Sequence, residues 1–323
     1  MRWRWGIVGL CLWTSLALWA QEKEVFTIMS YNVENYFDYQ HDTLKQDWEF
    51  TAVGDRHWTY TKMQRKAEKI AKVIAVVGGW KNPAIVGLCE VENAKCLQLL
   101  CRKMPNFPYQ YVHFESPDER GVDVAMLYDS TQFVVQHAEA LYVDLNRDSA
   151  GEEKDYTRDI LYVQGVTEEG DTLHVFMCHL PSMLGGKEAS EWKRQRAKDV
   201  IRQKVKSVLK QDENAKIVVM GDMNCSPKDD LAGLHNQMLH VEKKGLGTEK
   251  YQGHWSCIDQ IYLSASLEKE CETDIFDAEW LQERDEKHLG LRPKRTFNGW
   301  KYQHDGYSDH LPIMVKWEKV DEK

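Results

Sequence analysis

The chain has 323 residues, 42% of them hydrophobic, and a formal net charge of −9. That length and apolar content suffice for a sizeable buried core. The acidic balance argues against a protein that grips nucleic acid through a broad excess of Lys and Arg. It leaves a phosphorylated substrate open where a metal ion supplies the positive charge locally.

Residues 1–20 stand apart. Arg2 and Arg4 precede an apolar stretch from Ile7 to Ala20, and QEKE follows. This is the outline of a secretory signal peptide, with an apolar run too short for a comfortable membrane span. Cleavage near Ala20 would leave an exported chain, 21–323, periplasmic or extracellular and without a membrane span. Cleavage would also remove Cys11 and leave an odd number of cysteines, so at least one stays unpaired. Cys89 and Cys178 lie in apolar runs, as small buried hydrophobes do. No C-x-x-C pair supports a zinc ribbon or a thioredoxin motif.

The first predicted strand is Val25–Tyr31. The polar segment 38–61 is too long for an ordinary connector. Met63, Ala67, Ile70, Ile74 and Val77 predict a helix over Lys62–Val77, stopped at Gly78-Gly79. A strand over Pro83–Glu90 and a helix over Ala94–Lys103 come next. Strands are then predicted at Tyr109–Phe114, Val122–Tyr128, Phe133–Leu141, Ile160–Val166 and Thr172–His179. Lys187–Gln211 is a long helix with an apolar stripe at Trp192, Ala197, Ile201, Val205 and Val208. Its basic face (Lys193, Arg194, Lys198, Arg202, Lys206, Lys210) is expected to be solvated. Strands follow at Lys216–Gly221, Ile258–Leu263, Glu272–Trp280 and Pro312–Trp317, with 229–256 irregular and 281–307 a polar loop. Without repeats or a linker, 21–323 is expected to form one domain. Strands mixed with a few helices predict packed sheets with outer helices.

Polar residues recur at the strand ends. Asn32 follows the first strand and Glu90 ends the second. His179 ends TLHVFMCH, and Asp222 and Asn224 follow KIVVMG. Asp259 precedes QIYL, and Asp309 and His310 precede LPIMVKW. Taken singly, Asp222, Asn224 and Asp309 suit turns, Glu90 suits the start of a helix, and His179 suits a loop. Together they make a site at one sheet edge. Glu90, Asp309 and Asn32 offer the oxygen ligands that Mg2+ or Mn2+ prefers. His179 and His310 suit contacts to phosphate or acid–base work. Neither a short His-x-x-x-His spacing nor a G-x-S-x-G occurs, which argues against a zinc centre and a serine nucleophile.

The blocks SYNVEN (30–35), VGLCEVEN (86–93), RGVDVAMLY (120–128), CHLPS (178–182), GDMN (221–224), CIDQIYLS (257–264) and SDHLP (308–312) are in the order of the endonuclease/exonuclease/phosphatase superfamily, which the chain resembles from Val25 to Trp317. HLPSMLGGKEASEWKRQR resembles its exported bacterial branch. The resemblance implies an α/β fold, a four-layer α/β/β/α sandwich of two mixed sheets flanked by helices, with hydrolysis of phosphoesters that depends on Mg2+ or Mn2+. It implies that Glu90 binds the metal with Asn32 and Asp309 nearby. Asp222 would handle the attacking water, Asn224 a phosphate oxygen, and His310, backed by Asp259, the scissile phosphate. His179 would also meet the phosphate, and Asp123 would orient His179. The expected partner is a phosphodiester, DNA or nucleotides among the candidates, acted on by a monomer without a stable protein partner. The alternatives are a phosphomonoesterase or lipid phosphohydrolase on the same centre, or a binding protein that keeps the fold without the chemistry.

Overall fold

The computed structural model describes residues 25–146, 155–228 and 231–318. The expected signal peptide lies outside them. Two mixed six-stranded sheets dominate. In the first, β1 (Val25–Tyr36) runs parallel to β2 (Ile85–Val91). Beyond β2 come β4 (Asp123–Asp129) and β3 (Tyr109–His113); beyond β1 come Ile313–Glu318 and Cys271–Ile275, all antiparallel. The second sheet pairs β7 (Thr172–His179) in parallel with β8 (Lys216–Asp222). It continues to β6 (Ile160–Thr167) and β5 (Phe133–Leu141) on one side, and to Asp259–Leu263 and His235–Asn236 on the other.

Parallel neighbours need a long crossover, and a helix lies within each. α1 (Tyr60–Gly78) lies between β1 and β2, and α3 (Lys187–Gln211) between β7 and β8. Thr59 caps α1 by accepting from the Lys62 N–H, so the helix opens slightly before its apolar stripe. α1 and α2 (Ala94–Arg102) pack on the first sheet. Ala197, Ile201, Val205 and Val208 of α3 share a core with Phe176, Val219 and Tyr262 of the second. A larger core joins Leu88, Ala125 and Leu127 to Val163, Met177 and Met220 across the two sheets. The result is the expected α/β/β/α sandwich. The sheets approach closely at Gly87, where a Cβ would lie 2.3 Å from Met177 Sδ.

Three readings of the sequence change. The strand expected over 272–280 stops at Ile275 and gives way to a single 3-10 turn, Glu279–Leu281. The stretches 229–256 and 281–307 hold short hairpins: Glu249–Tyr251 with His254–Ser256, Gln282–Arg284 with Leu291–Pro293, and Phe297–Asn298 with Lys301–Tyr302. Strands of two or three residues are too short to show a period. The basic face of α3 is not uniformly solvated: Arg194 and Lys198 are buried. Arg194 donates to the carbonyls of Pro181 (3.4 Å), Ser182 (3.3 Å) and Lys187 (2.6 Å), and so ties down the loop after β7. None of the seven cysteines among the described residues is in a disulfide, and no described helix is long and apolar enough to cross a membrane.

Gly221, just before Asp222, has φ +137°, and a Cβ there would lie 1.8 Å from the Cys178 carbonyl oxygen. Gly221→Ala is expected to cost on the order of 2–4 kcal/mol and to lower Tm by several degrees. An unchanged melting curve would contradict this close approach of β7 and β8.

Candidate active site

The topology gathers the polar strand ends at one edge. Parallel strands deliver their carboxyl ends there, and the antiparallel strands beside them deliver their amino ends. Asp222 ends β8 level with His179 of β7 and opposite Asp259 in the antiparallel register. His310 lies just ahead of Ile313–Glu318, which runs antiparallel to β1.

Asp222 is the hub. Its carboxylate accepts from Asn32 Nδ2 at 3.1 Å and from the Asn224 N–H at 2.9 Å. Oδ2 lies 3.6 Å from His179 Nε2 and 3.9 Å from His310 Nε2. His310 Nδ1 meets Asp259 Oδ2 at 2.7 Å. Ser308 Oγ donates to the Asn32 carbonyl at 2.7 Å and accepts from the His310 N–H at 3.1 Å, so the SDHLP block is braced against β1. Asn224 Nδ2 donates to the Leu180 carbonyl at 2.9 Å.

Glu90 reaches the site through a bulge. The β1–β2 ladder slips between Asn32 and Tyr36, and the β2–β4 ladder slips between Cys89 and Val91. Glu90 is left out of both at φ +65°, while Glu34, Asn35 and Asn224 also take left-handed backbone. Such conformations gather where function over-determines the backbone. Glu90 Oε2 accepts from the Asn35 N–H at 2.8 Å and lies 4.0 Å from Arg120, whose guanidinium donates to Asn35 Oδ1.

The segment leading into SDHLP is clamped by α1. The buried Lys66 ammonium donates to Thr296 Oγ1 and the Tyr307 carbonyl, both at 2.6 Å, and Lys69 donates to the Gly306 carbonyl at 2.6 Å. Glu34 accepts from the Thr296 and Phe297 N–H groups. Burial and the nearby Asp309 push Glu34 up to about 7; burial brings Lys66 down to about 8 against the pull of Glu34 and Asp309.

Charge is sharply sorted. Burial and the Asp259 charge push Asp222 up to about 7. Burial opposes a charged His310, yet Asp259 holds it well above its ordinary value. Burial, then Arg158, Arg120 and His310, holds His179 well below. Burial acts against the Glu90 carboxylate, but Arg120 and Arg158 keep it below its usual range. Asp222, Asp259 and His310 are close enough together to suggest an ion. An imidazolium already bonded to Asp259 has no lone pair to give a metal, so this trio is an ion pair beside a second carboxylate rather than a ligand set. The open hard-oxygen donor is Glu90. Asn32 Oδ1, which accepts from the Glu34 N–H at 3.0 Å, keeps a second lone pair. These donors fit a divalent cation that prefers oxygen.

A cleft of about 680 Å3 opens over the edge, lined by Glu90, His179, Asp222, Asn224 and His310 together with Arg120, Arg158, Ser182 and Glu249. The last four were not singled out from the sequence. Arg158 lies two residues ahead of β6, so the signal that marks Asp259 and His310, a polar residue just before a strand, would also have found it. Asn32 and Asp259 lie buried behind this lining, and Asp309 Oδ1 stands 3.9 Å from His310 Nε2. Asp123 does not orient His179. Its Oδ1 accepts from the Ser116 N–H and hydroxyl, and its Oδ2 lies 3.5 Å from His113 Nε2. The tight 114–122 connection turns Asp123 inward on its own hairpin, and His179 Nδ1 has no hydrogen-bond partner.

A four-layer sandwich with carboxylates and imidazoles gathered at one edge is the frame of a hydrolytic α/β phosphoesterase. The chain belongs to the Endonuclease/Exonuclease/phosphatase family, whose model matches residues 27–319. Among solved structures it is similar to truncated TDP2 of Caenorhabditis elegans, at 16% identity and TM-score 0.58, covering 91% of this chain and 98% of that one. It is also similar to a Bacteroides thetaiotaomicron endonuclease/exonuclease/phosphatase family protein (15%, TM-score 0.56, 93% and 100% covered). A third is the mannosyl-6-phosphatase of that organism (16%, TM-score 0.57, 90% and 98% covered). No curated protein matches.

The charge sorting is directly measurable. Two-dimensional 1H–15N spectra of the imidazole nitrogens are expected to show His310 as imidazolium and His179 as neutral at the same near-neutral pH. Asp259→Asn should bring His310 down towards the ordinary range. A neutral His310 at pH 7 in the unmutated protein would refute the pairing.

Proposed function

We propose that this protein is an exported phosphodiesterase of the nuclease type, hydrolysing phosphoesters by attack of water. The observation that carries the reading is Asp222, buried and raised to about 7, beside a charged His310 in a cleft that also holds Glu90 and two arginines. Family membership supports phosphoester hydrolysis in general. The basic-then-apolar run of residues 1–20 supports export.

Asp222 suits the base: a carboxylate poised near neutral pH takes a proton from water far more readily than one near 4. Asn32 and the Asn224 N–H fix its orientation. His310, charged and held by Asp259, donates through Nε2 towards a non-bridging phosphate oxygen. Arg158 and Arg120 place positive charge where negative charge builds in the transition state. Neutral His179, adjacent to Asp222, is a further donor through Nε2. A Mg2+ or Mn2+ ion held by Glu90, with Asn32 and Asp309 beside it, would supply Lewis-acid polarisation of the phosphoryl oxygens. Two arginines also suit the dianion of a phosphomonoester, so that reading stays as the second.

Full-length protein freed of residues 1–20 is to be assayed with Mg2+ or Mn2+ on supercoiled plasmid, a chromogenic phosphodiester and a phosphomonoester. Plasmid nicking or diester turnover, lost in EDTA, is expected. Monoester turnover alone would move the assignment to the second reading, and no turnover would refute both. Asp222→Ala and His310→Ala should each lower kcat by about 10^2–10^4-fold with unchanged circular dichroism. Because Asp222 must be ionised to accept a proton, kcat/KM should fall as pH drops below about 7. Asn32→Ala removes a hydrogen bond that lowers Asp222 and should move that limb to higher pH. A limb that stays in place would reject Asp222 as the base.

A further inference from the structure

The structure points to a second metal site outside the cleft, and we propose that His113, Glu115 and Asp123 form a zinc-class divalent-cation site at the mouth of the β3–β4 hairpin. His113 ends β3, Asp123 opens β4, and Glu115 lies in the connection between them. One ligating atom from each lies within 4.8 Å of the others. The His113 and Asp123 side chains are 4% and 1% exposed, and His113 Nε2 and Asp123 Oδ2 both lack a hydrogen-bond partner. Burying two such atoms without a hydrogen bond is costly.

The separation of these two atoms is informative. An imidazolium and a carboxylate that bond directly close to about 2.7–2.9 Å, as His310 and Asp259 do in this molecule at 2.7 Å. His113 Nε2 and Asp123 Oδ2 stand 3.5 Å apart. That is too long for the direct bond. It is close to the edge of about 3.3 Å between two ligands of a tetrahedral ion with bonds of about 2.0–2.1 Å. The Asp123 carboxylate is already oriented, since Ser116 donates to Oδ1 through both its N–H and its hydroxyl and leaves Oδ2 facing His113. Orientation of a ligand by a second hydrogen-bonded group is the usual support of a metal site. The Glu115 side chain is 56% exposed and reaches over the ring from the connection, its Oε1 4.0 Å from His113 Nδ1, and it offers a carboxylate oxygen within 4.8 Å of a ligating atom of each of the other two residues, which makes it the candidate third ligand. One imidazole and two carboxylates with water as the fourth ligand suit Zn2+ rather than Mg2+ or Ca2+.

The ion would tie two rigid strands to the 114–122 connection. That connection carries Arg120, which lines the cleft, and Asp118, whose carboxylate lies 3.4 Å from Arg158. Filling the site therefore stiffens the support of both cleft arginines.

The test is spectroscopic and independent of turnover. Metal-free full-length protein is titrated with Co2+, which absorbs strongly in the visible only when four-coordinate, and Zn2+ is then added in competition. We expect one equivalent of four-coordinate Co2+, displaced by Zn2+, retained in Glu90→Gln and weakened at least tenfold in His113→Ala. Absence of the band, its persistence in His113→Ala, or its loss in Glu90→Gln would each overturn the proposal. Glu115→Gln guards against a misfolded His113 variant, because the residue is exposed. It should weaken Co2+ about tenfold, and unchanged affinity would overturn the site. Failure of the phosphoesterase assay would leave these outcomes untouched.

Discussion

Two carboxylates, Asp222 and Asp259, are buried side by side on neighbouring strands, and the site can hold them only because His310 stays charged against both. Neither like charges nor lone ions survive burial without compensation. The imidazolium meets that demand with a bond to one carboxylate and a field on the other. The geometry around it follows. Ser308 must brace the SDHLP turn against β1, and the sheets must pack closely enough to bring Asn32 of one to Asp222 of the other. Sheet packing and the electrostatics of the site are therefore one constraint seen at two scales.

Much of the fold was legible because the central strands carry long apolar runs and the helices between parallel neighbours carry clear stripes. The Phe133–Leu141 and Thr172–His179 strands and the Lys187–Gln211 helix fall where the sequence places them. The gathering of Asn32, His179, Asp222, Asp259 and His310 was legible from chemistry at strand ends. What was not legible depends on three-dimensional detail. A bulge turns Glu90 into the cleft, and nothing in VGLCEVEN marks which residue the ladder will skip. The family resemblance pairs Asp123 with His179, but its own hairpin captures it through Ser116. Arg194 looked like one more cation on a wet helix face; only the path of the 180–186 loop shows that its carbonyls need that guanidinium.

The long polar segments find their order in the same way, through cations reaching for backbone carbonyls. Lys66 and Lys69 hold the approach to Asp309 and His310, as Arg194 holds the loop beyond His179. In both cases a residue that would ordinarily stay in water gives up hydration to fix a segment that borders the cleft. Loops on rigid scaffolds carry function when they are positioned in this way. Here the outer helices of the sandwich supply the positioning, so these layers do more than cover the sheets.

The left-handed backbone at Glu34, Asn35, Glu90 and Asn224 bears on how this chain can evolve. A side chain in that conformation costs on the order of 1 kcal/mol or more relative to glycine. A descendant freed from its chemistry would gain stability by drifting to glycine at 90 and 224. It would become a sturdier and inert sandwich. The residues now present are the ones such drift would erase first, so the edge of the sheets records whether a lineage is still using its cleft.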